Sequence, residues 1–121
     1  MLIALDPGRN LGVAWVSLET KLLRHEILTL SDLQTLEFSN VVIVVGDGTG
    51  TEAVQKILKA RGLDFIVIDE EGTTLEAREL YFRDHSPKGL MRFLPRGLWS
   101  PPELIDDYAA YAIALRYLRS R

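Results

Sequence analysis

Three groups of acidic residues stand out by where they fall along the chain. Asp6 closes a first apolar run, LIALD, and is followed at once by Pro7 and Gly8. Asp69 and Glu70 close a second run that reads DFIVID. Asp106 and Asp107 lie near the start of a last helical stretch, with Glu103 one turn earlier. Carboxylates gathered in one place repel one another and raise each other's pKa, a penalty that hard divalent cations remove. Two such cations about 4 Å apart can activate water and stabilise the leaving oxygen of a phosphodiester. Each acid also has a local explanation. Asp6 can serve as a turn acceptor, Asp69 and Glu70 can belong to the start of a helix, and Asp106 and Asp107 can be first-turn acids favoured by the helix dipole. The chemistry therefore depends on convergence, and convergence depends on the elements that carry these residues.

Residues 2–6 (LIALD) and 12–18 (GVAWVSL) are short apolar runs separated by Pro, Gly and Asn, which predicts a hairpin. Residues 21–29 (KLLRHEILT) form a third strand, and Ser31 is placed to cap a short helix with Leu33 and Leu36 on one face. VVIVV at 41–45 is a continuous β-branched run, as in a strand buried on both faces. GDGTGT (46–51) lacks the Gly-Lys-Ser/Thr ending of a nucleotide-binding loop. It reads instead as a tight turn with Thr51 capping the helix TEAVQKILKARG, where Ala53, Ile57 and Leu58 form a stripe and Gly62 a stop. DFIVID (64–69) reads as another buried strand, and Thr73 or Thr74 as the cap of a helix through LEARELYFRDH that Ser86-Pro87 ends. Residues 86–102 read as a loop and residues 102–119 as a final helix, with Leu104, Tyr108, Tyr111, Ala112, Leu115 and Leu118 at helical spacing. The order β-β-β-α-β-α-β-α-α predicts one α/β domain over residues 1–121. Its five-stranded mixed sheet joins an antiparallel three-strand meander to two parallel strands and is flanked by helices. If strands one, four and five are parallel neighbours, Asp6 and Asp69/Glu70 open on the same edge, where ligands of such sheets bind.

Composition narrows the partners. A chain of 121 residues, 47% hydrophobic and 26% charged, has the length and balance of a single globular domain. No apolar run approaches the roughly 20 residues needed to span a bilayer, so no membrane partner is expected. The absence of cysteine excludes disulfides and thiolate metal sites. With no secretory leader in the first residues, the expected location is cytoplasmic. The net charge of −3 argues against a surface coated in positive charge. Local distribution matters more: Arg78, Arg83, Lys88, Arg92 and Arg96 crowd one segment against Glu79 and Asp84, either as a solvated helix face or as contacts to phosphates.

Three segments, in order, resemble the YqgF/RuvC branch of the ribonuclease H-like superfamily. LIALDPGRNLGVAWV resembles the first hairpin of those nucleases, and its Asp-Pro-Gly is closest to RuvC. VIDEEGTTLEAREL resembles the YqgF segment patterned D-E-R-x-T-T-x-E-A, with Glu71 where that pattern has arginine. IDDYAAYAIALRYL resembles the YqgF closing helix, and VVIVVGDGTGTEA resembles the related domain of the transcription accessory protein Tex. The resemblance spans nearly the whole chain and implies a ribonuclease H-like fold. It further implies a metal-dependent endonuclease that uses Mg²⁺ or Mn²⁺ to cut branched DNA of the Holliday junction type or precursor ribosomal RNA. By it, Asp6 matches the first metal-binding acid, Asp69 or Glu70 the second, and Asp106 the third. Asp107 competes with Asp106, because residues adjacent in a helix point about 100° apart. The expected catalytic and metal-binding set is Asp6, Glu70 and Asp106, with Asp69 and Asp107 as alternates. Arg9, Lys88, Arg92 and Arg96 are expected to contact nucleic-acid phosphates. Symmetric cutting of a junction favours a homodimer. Tex-like domains have lost parts of the acidic set, so the alternative is a non-catalytic module that binds nucleic acid or protein.

Overall fold

Both faces of the first strand are apolar, and both are covered. In the computed structural model, which describes residues 1–85, 93, 95 and 105–120, five strands form one sheet. They are β1 (Leu2–Asp6), β2 (Leu11–Val16), β3 (Leu22–Leu28), β4 (Val42–Gly46) and β5 (Ile66–Ile68). Their spatial order is β3-β2-β1-β4-β5, with β1, β2 and β3 antiparallel and β1, β4 and β5 parallel. This is the meander plus two parallel strands expected of a ribonuclease H-like domain. The helices are α1 (Thr51–Ala60), α2 (Thr73–Asp84) and α3 (Asp106–Arg119), with a 3₁₀ turn at Ser31–Gln34.

Side chains alternate across a strand, and that alternation divides the core in two. Leu2 and Ala4 of β1, with Ala14, Val16 and Val44, pack against Ala77, Tyr81 and Phe82 of α2 and the buried stripe of α3. Ile3 and Leu5, with Val13, Trp15 and Val45, pack on the opposite face against Leu33, Val54 and Leu58. Large side chains buried this completely each contribute about 1.5–3 kcal/mol through removal from water.

The same alternation places the polar strand ends. Asp6 continues the Leu2–Ala4 series and so belongs to the α3 face. It pairs directly with Gly12 of β2, and one step past the Leu5–Val45 pair lies Gly46 of β4. Asp6 is thus flanked by two positions without side chains. The space above Gly12 is filled by the start of α3: a Cβ there would stand 1.9 Å from the Asp106 carbonyl oxygen. Further along α3, Ala110 and Ala114 let the helix lie close on the sheet, and Tyr111 Oη donates to the Thr20 carbonyl at 2.6 Å.

Several local expectations are corrected. The strand within DFIVID is short and peripheral: Ile66 and Val67 are 40% and 45% exposed, because β5 is a sheet edge with one side uncovered. Ala53 is exposed, and α1 instead buries Val54 and Leu58. Ser31 caps nothing; the turn after β3 is closed by Thr29 and Asp32, each accepting the other's backbone N–H through its side chain. Gly50 and Gly72, both in the left-handed region at φ 90° and 82°, take the N-cap positions expected of Thr51 and of Thr73 or Thr74. Gly62, at φ 71°, does follow the end of α1 as expected. Ile105 is non-helical, so α3 starts at Asp106 and not at 102; Leu104 lies outside the described residues.

The contact at Gly12 sets up a direct comparison. Gly12→Ala should lower the free energy of unfolding by about 3 kcal/mol, the upper end of overpacking costs, because backbone and not a mobile side chain occupies the space. Gly8→Ala, whose new Cβ would meet only the Asn10 carbonyl at 3.5 Å, should change it by less than about 0.5 kcal/mol. Urea unfolding of both variants checks this.

Candidate functional site

Proline at position 7 biases Asp6 toward extended backbone, so the carboxylate stays on the strand end and does not turn into the loop. Asp6 is half-buried there. Burial, the adjacent Glu70 carboxylate and the charge of Asp106 push its pKa from the ordinary 3.8 up to about 8. Burial also raises Glu70, with the charges of Asp47 and Asp69 adding to the shift. The two carboxyl groups stand close enough for Asp6 to donate its proton to Glu70. With both ionised, Glu70 Oε2 is buried with no hydrogen-bond partner among the described residues.

Glu70 is held by what surrounds it. Its backbone N–H donates to Asp47 Oδ1 at 3.1 Å, and its carbonyl accepts from Thr73 Oγ1 at 2.7 Å and from the Thr73 N–H at 3.0 Å. From α3, Arg116 donates to the carbonyls on either side, Asp69 at 2.8 Å and Glu71 at 2.6 Å, and pairs with Glu76 at 2.9 Å. The Glu70 carboxylate rests over two glycines. A Cβ at Gly46 would come within 2.2 Å of Oε2, and one at Gly48 within 1.4 Å of Oε1.

Asp106 begins α3 above Gly12, and Asn10 Nδ2 approaches its Oδ2 at 3.5 Å. Asp107 points elsewhere: its Oδ2 accepts from His25 Nδ1 of β3 at 2.6 Å, and its Oδ1 accepts the Tyr108 N–H at 3.0 Å. Asp69 is exposed and its Oδ1 accepts the Glu71 N–H at 3.0 Å. Of the five acids singled out in the sequence, Asp6 and Glu70 thus stand together at the carboxyl edge of β1 and β4, and the charge of Asp106 reaches Asp6. Asp107 has a different partner, and Asp69 reaches the cluster through its charge on Glu70.

Two observations bear on whether a cation fits. The raised pKa of Asp6 and the unpartnered Glu70 Oε2 both favour a positive charge beside them, and oxygen donors suit Mg²⁺ or Mn²⁺. As they stand, however, no group of three or more His, Asp or Glu side chains among the described residues is arranged to hold a metal ion. The donor set fits such an ion in its chemistry, while its side chains are not gathered into a ready cage.

Arg9 is exposed on the loop after β1, beside a cleft of about 150 Å³ lined with Gly8, Leu11, Leu30, Gly50, Ala53 and Val54. Lys88, Arg92 and Arg96 lie outside the described residues. Among those residues, no helix is long and apolar enough to cross a membrane. No model of a known protein family and no curated protein matches this chain.

Sequence patterns assign no part in the site to Asp47, His25, Arg116 or Asn10. Asp47 alone carried a local signal, an acid between two glycines directly after a buried strand. His25 and Arg116 acquire their partners from 82 and 40 or more residues away, through contacts no local pattern encodes.

The raised pKa of Asp6 has a defined sign. Between the ordinary 3.8 and about 8, the folded protein holds a proton that the unfolded chain has released. Stability therefore falls as pH rises through that window and levels off above it. Asp6→Asn keeps a donor toward Glu70 and removes the titration. Its melting temperature should draw progressively above that of the unaltered protein from pH 4 to pH 8. Parallel melting curves across that range would show that Asp6 is not held protonated.

Proposed function

We propose that this protein is a cytoplasmic, metal-dependent endonuclease that hydrolyses phosphodiester bonds in structured nucleic acid, either branched DNA of the Holliday junction type or precursor ribosomal RNA. The observation that carries this reading is the closeness of Asp6 and Glu70 at the carboxyl edge of the parallel strands, within the field of Asp106 at the start of α3 and with Glu70 Oε2 buried and unpartnered. The likeness of the segments around Asp6, Glu70 and Asp106 to YqgF and RuvC nucleases supports it further.

On this reading Asp6, Glu70 and Asp106 hold Mg²⁺ or Mn²⁺. Bound ions of this kind supply an activated water and stabilise the leaving oxygen of the phosphodiester. The chain's own part is to place the carboxylates. Gly12, Gly46 and Gly48 leave the room, Pro7 keeps Asp6 extended, and Asp6 gives up its proton when positive charge arrives. Arg9, with Lys88, Arg92 and Arg96, contacts backbone phosphates, a contribution that is independent of sequence and weakens steeply with salt. Cutting two strands symmetrically would call for a two-fold dimer.

A second reading has one observation in its favour. The acids are not gathered into a metal cage as they stand, which suits a ribonuclease H-like module that binds nucleic acid without cutting it. Cleavage of a four-way DNA junction and of structured precursor rRNA with Mn²⁺ or Mg²⁺ separates the two. Asp6→Asn should cut more than about a hundredfold more slowly, the scale of loss when one electrostatic stabiliser of a transition state is removed. Mn²⁺ should also raise the melting temperature of the unaltered protein at pH 8 and leave that of Asp6→Asn unchanged. Equal product from both proteins, or salt-sensitive binding with no metal-dependent product, would replace the nuclease reading with the binding one.

A further inference from the structure

We propose that Asp47 is a positioning residue for Glu70, extending the β4–β5 ladder with its side chain where the backbone can no longer do so. The consequence for catalysis rests on the nuclease reading above; the consequence for Glu70 does not.

The parallel pairing of β4 and β5 ends at Gly46–Ile68. The Asp47 N–H adds one more rung by donating to the Ile68 carbonyl at 3.0 Å. Beyond that point the chain after β5 turns through Gly72 into α2, leaving the strand ladder. The next amide to face β4 is that of Glu70, and Asp47 Oδ1 accepts it at 3.1 Å. A carboxylate acceptor makes this bond stronger than its neutral counterpart.

What distinguishes this bond from the others around Glu70 is the element it refers to. Thr73 grips the Glu70 carbonyl from α2, and Arg116 grips the flanking carbonyls from α3. Asp47 ties the Glu70 backbone to the end of β4, the same segment whose Gly46 and Gly48 lie beneath the Glu70 carboxylate. Backbone and side chain of Glu70 are thereby registered against one strand end, the neighbour of the strand that carries Asp6. Glu70 extends over Gly46 and Gly48 toward Asp6, and the bond from Asp47 fixes the backbone from which it extends. A misplacement of about 1 Å in a catalytic constellation can cost as much as a hundredfold in rate.

The plain alternative is that Asp47 merely closes a Gly-Asp-Gly turn. In that case Asp47→Ala would loosen the turn locally and leave Glu70 where it is. A further alternative is that Asp47 acts by its charge, which already bears on Glu70. Asparagine separates acceptor from charge, because its side-chain oxygen can take the Glu70 N–H while carrying none.

The test is amide hydrogen exchange at Glu70 in the full chain, read for the unaltered protein, Asp47→Ala and Asp47→Asn. It is joined to cleavage kinetics on a four-way DNA junction with Mn²⁺. Asp47→Ala should lose protection at the Glu70 amide by about tenfold or more, while Asp47→Asn retains it. In cleavage, Asp47→Ala should lower kcat by about 10–100-fold with KM little changed, the range seen when groups that orient ligating residues are removed, and Asp47→Asn should restore most of that loss. Unchanged Glu70 protection in Asp47→Ala overturns the proposal. So does an equal fall in both variants, which would assign the effect to charge, or a rise in KM alone, which would make Asp47 a substrate contact. Loss of cooperative unfolding in Asp47→Ala overturns it as well, since the bond would then hold the fold and not Glu70. If the unaltered protein does not cut, the nuclease reading fails, and the exchange pattern still decides whether Asp47 positions Glu70.

Discussion

The site depends on one steric constraint: the strand that ends in Asp6 has a glycine beside it on each neighbouring strand. Gly12 and Gly46 stand on either side of Asp6 on the face covered by α3. Any side chain at Gly12 would collide with the carbonyl of Asp106, and any side chain at Gly46 with the Glu70 carboxylate and Ile113. The two empty positions are what allow the start of α3 and the segment after β5 to reach a central strand. The rest of the architecture follows from this need. The alanines of α3 bring the helix down onto the sheet, and Arg116, one end of the same helix, holds the carbonyls on either side of Glu70. A single rigid element therefore places Asp106 and restrains Glu70.

That arrangement is electrostatically unfavourable as it stands. Burial beside two other carboxylates pushes the Asp6 pKa up to about 8, and with both groups ionised Glu70 keeps a buried oxygen without a donor. A fold selected for stability alone would place apolar or hydrogen-bonded groups there, since an unsatisfied buried acceptor costs about 1–3 kcal/mol. Local conflict of this kind, within a sheet whose other positions agree with their environment, is the usual mark of a functional site. The remainder of the protein bears the conflict through two well-packed cores, one on each face of the sheet.

The legible parts of the fold were those written in local patterns. VVIVV gave a central strand because both of its faces must be apolar, and the apolar runs around Pro7 and Gly8 gave the first hairpin. DFIVID looked equally buried, yet β5 lies at an edge; membership of an edge is a property of the neighbours and not of the run itself. Threonines at 51 and 73 looked like caps by residue type, but left-handed glycines one position earlier took those places because the chain must turn sharply there. The start of α3 was misplaced because helical spacing continues through Leu104 and Ile105 in the sequence, whereas Ile105 leaves the helical conformation as α3 meets Gly12.

By itself, the sequence determined the inventory: the order of strands and helices, the apolar faces, and three acidic clusters at element ends. It did so because periodicity, turn residues and strand-end acids are all short-range features. The tertiary structure decided which member of each acidic pair faces Asp6. Glu70 is drawn in, and not Asp69, because Asp47 takes its amide and Gly46 and Gly48 leave space for its carboxylate. The charge of Asp106 bears on Asp6, whereas Asp107, turned about 100° from it, is engaged by His25 of β3. Those choices rest on contacts between residues far apart in the chain, and a pair of adjacent acids carries no local information about which of them such contacts will favour.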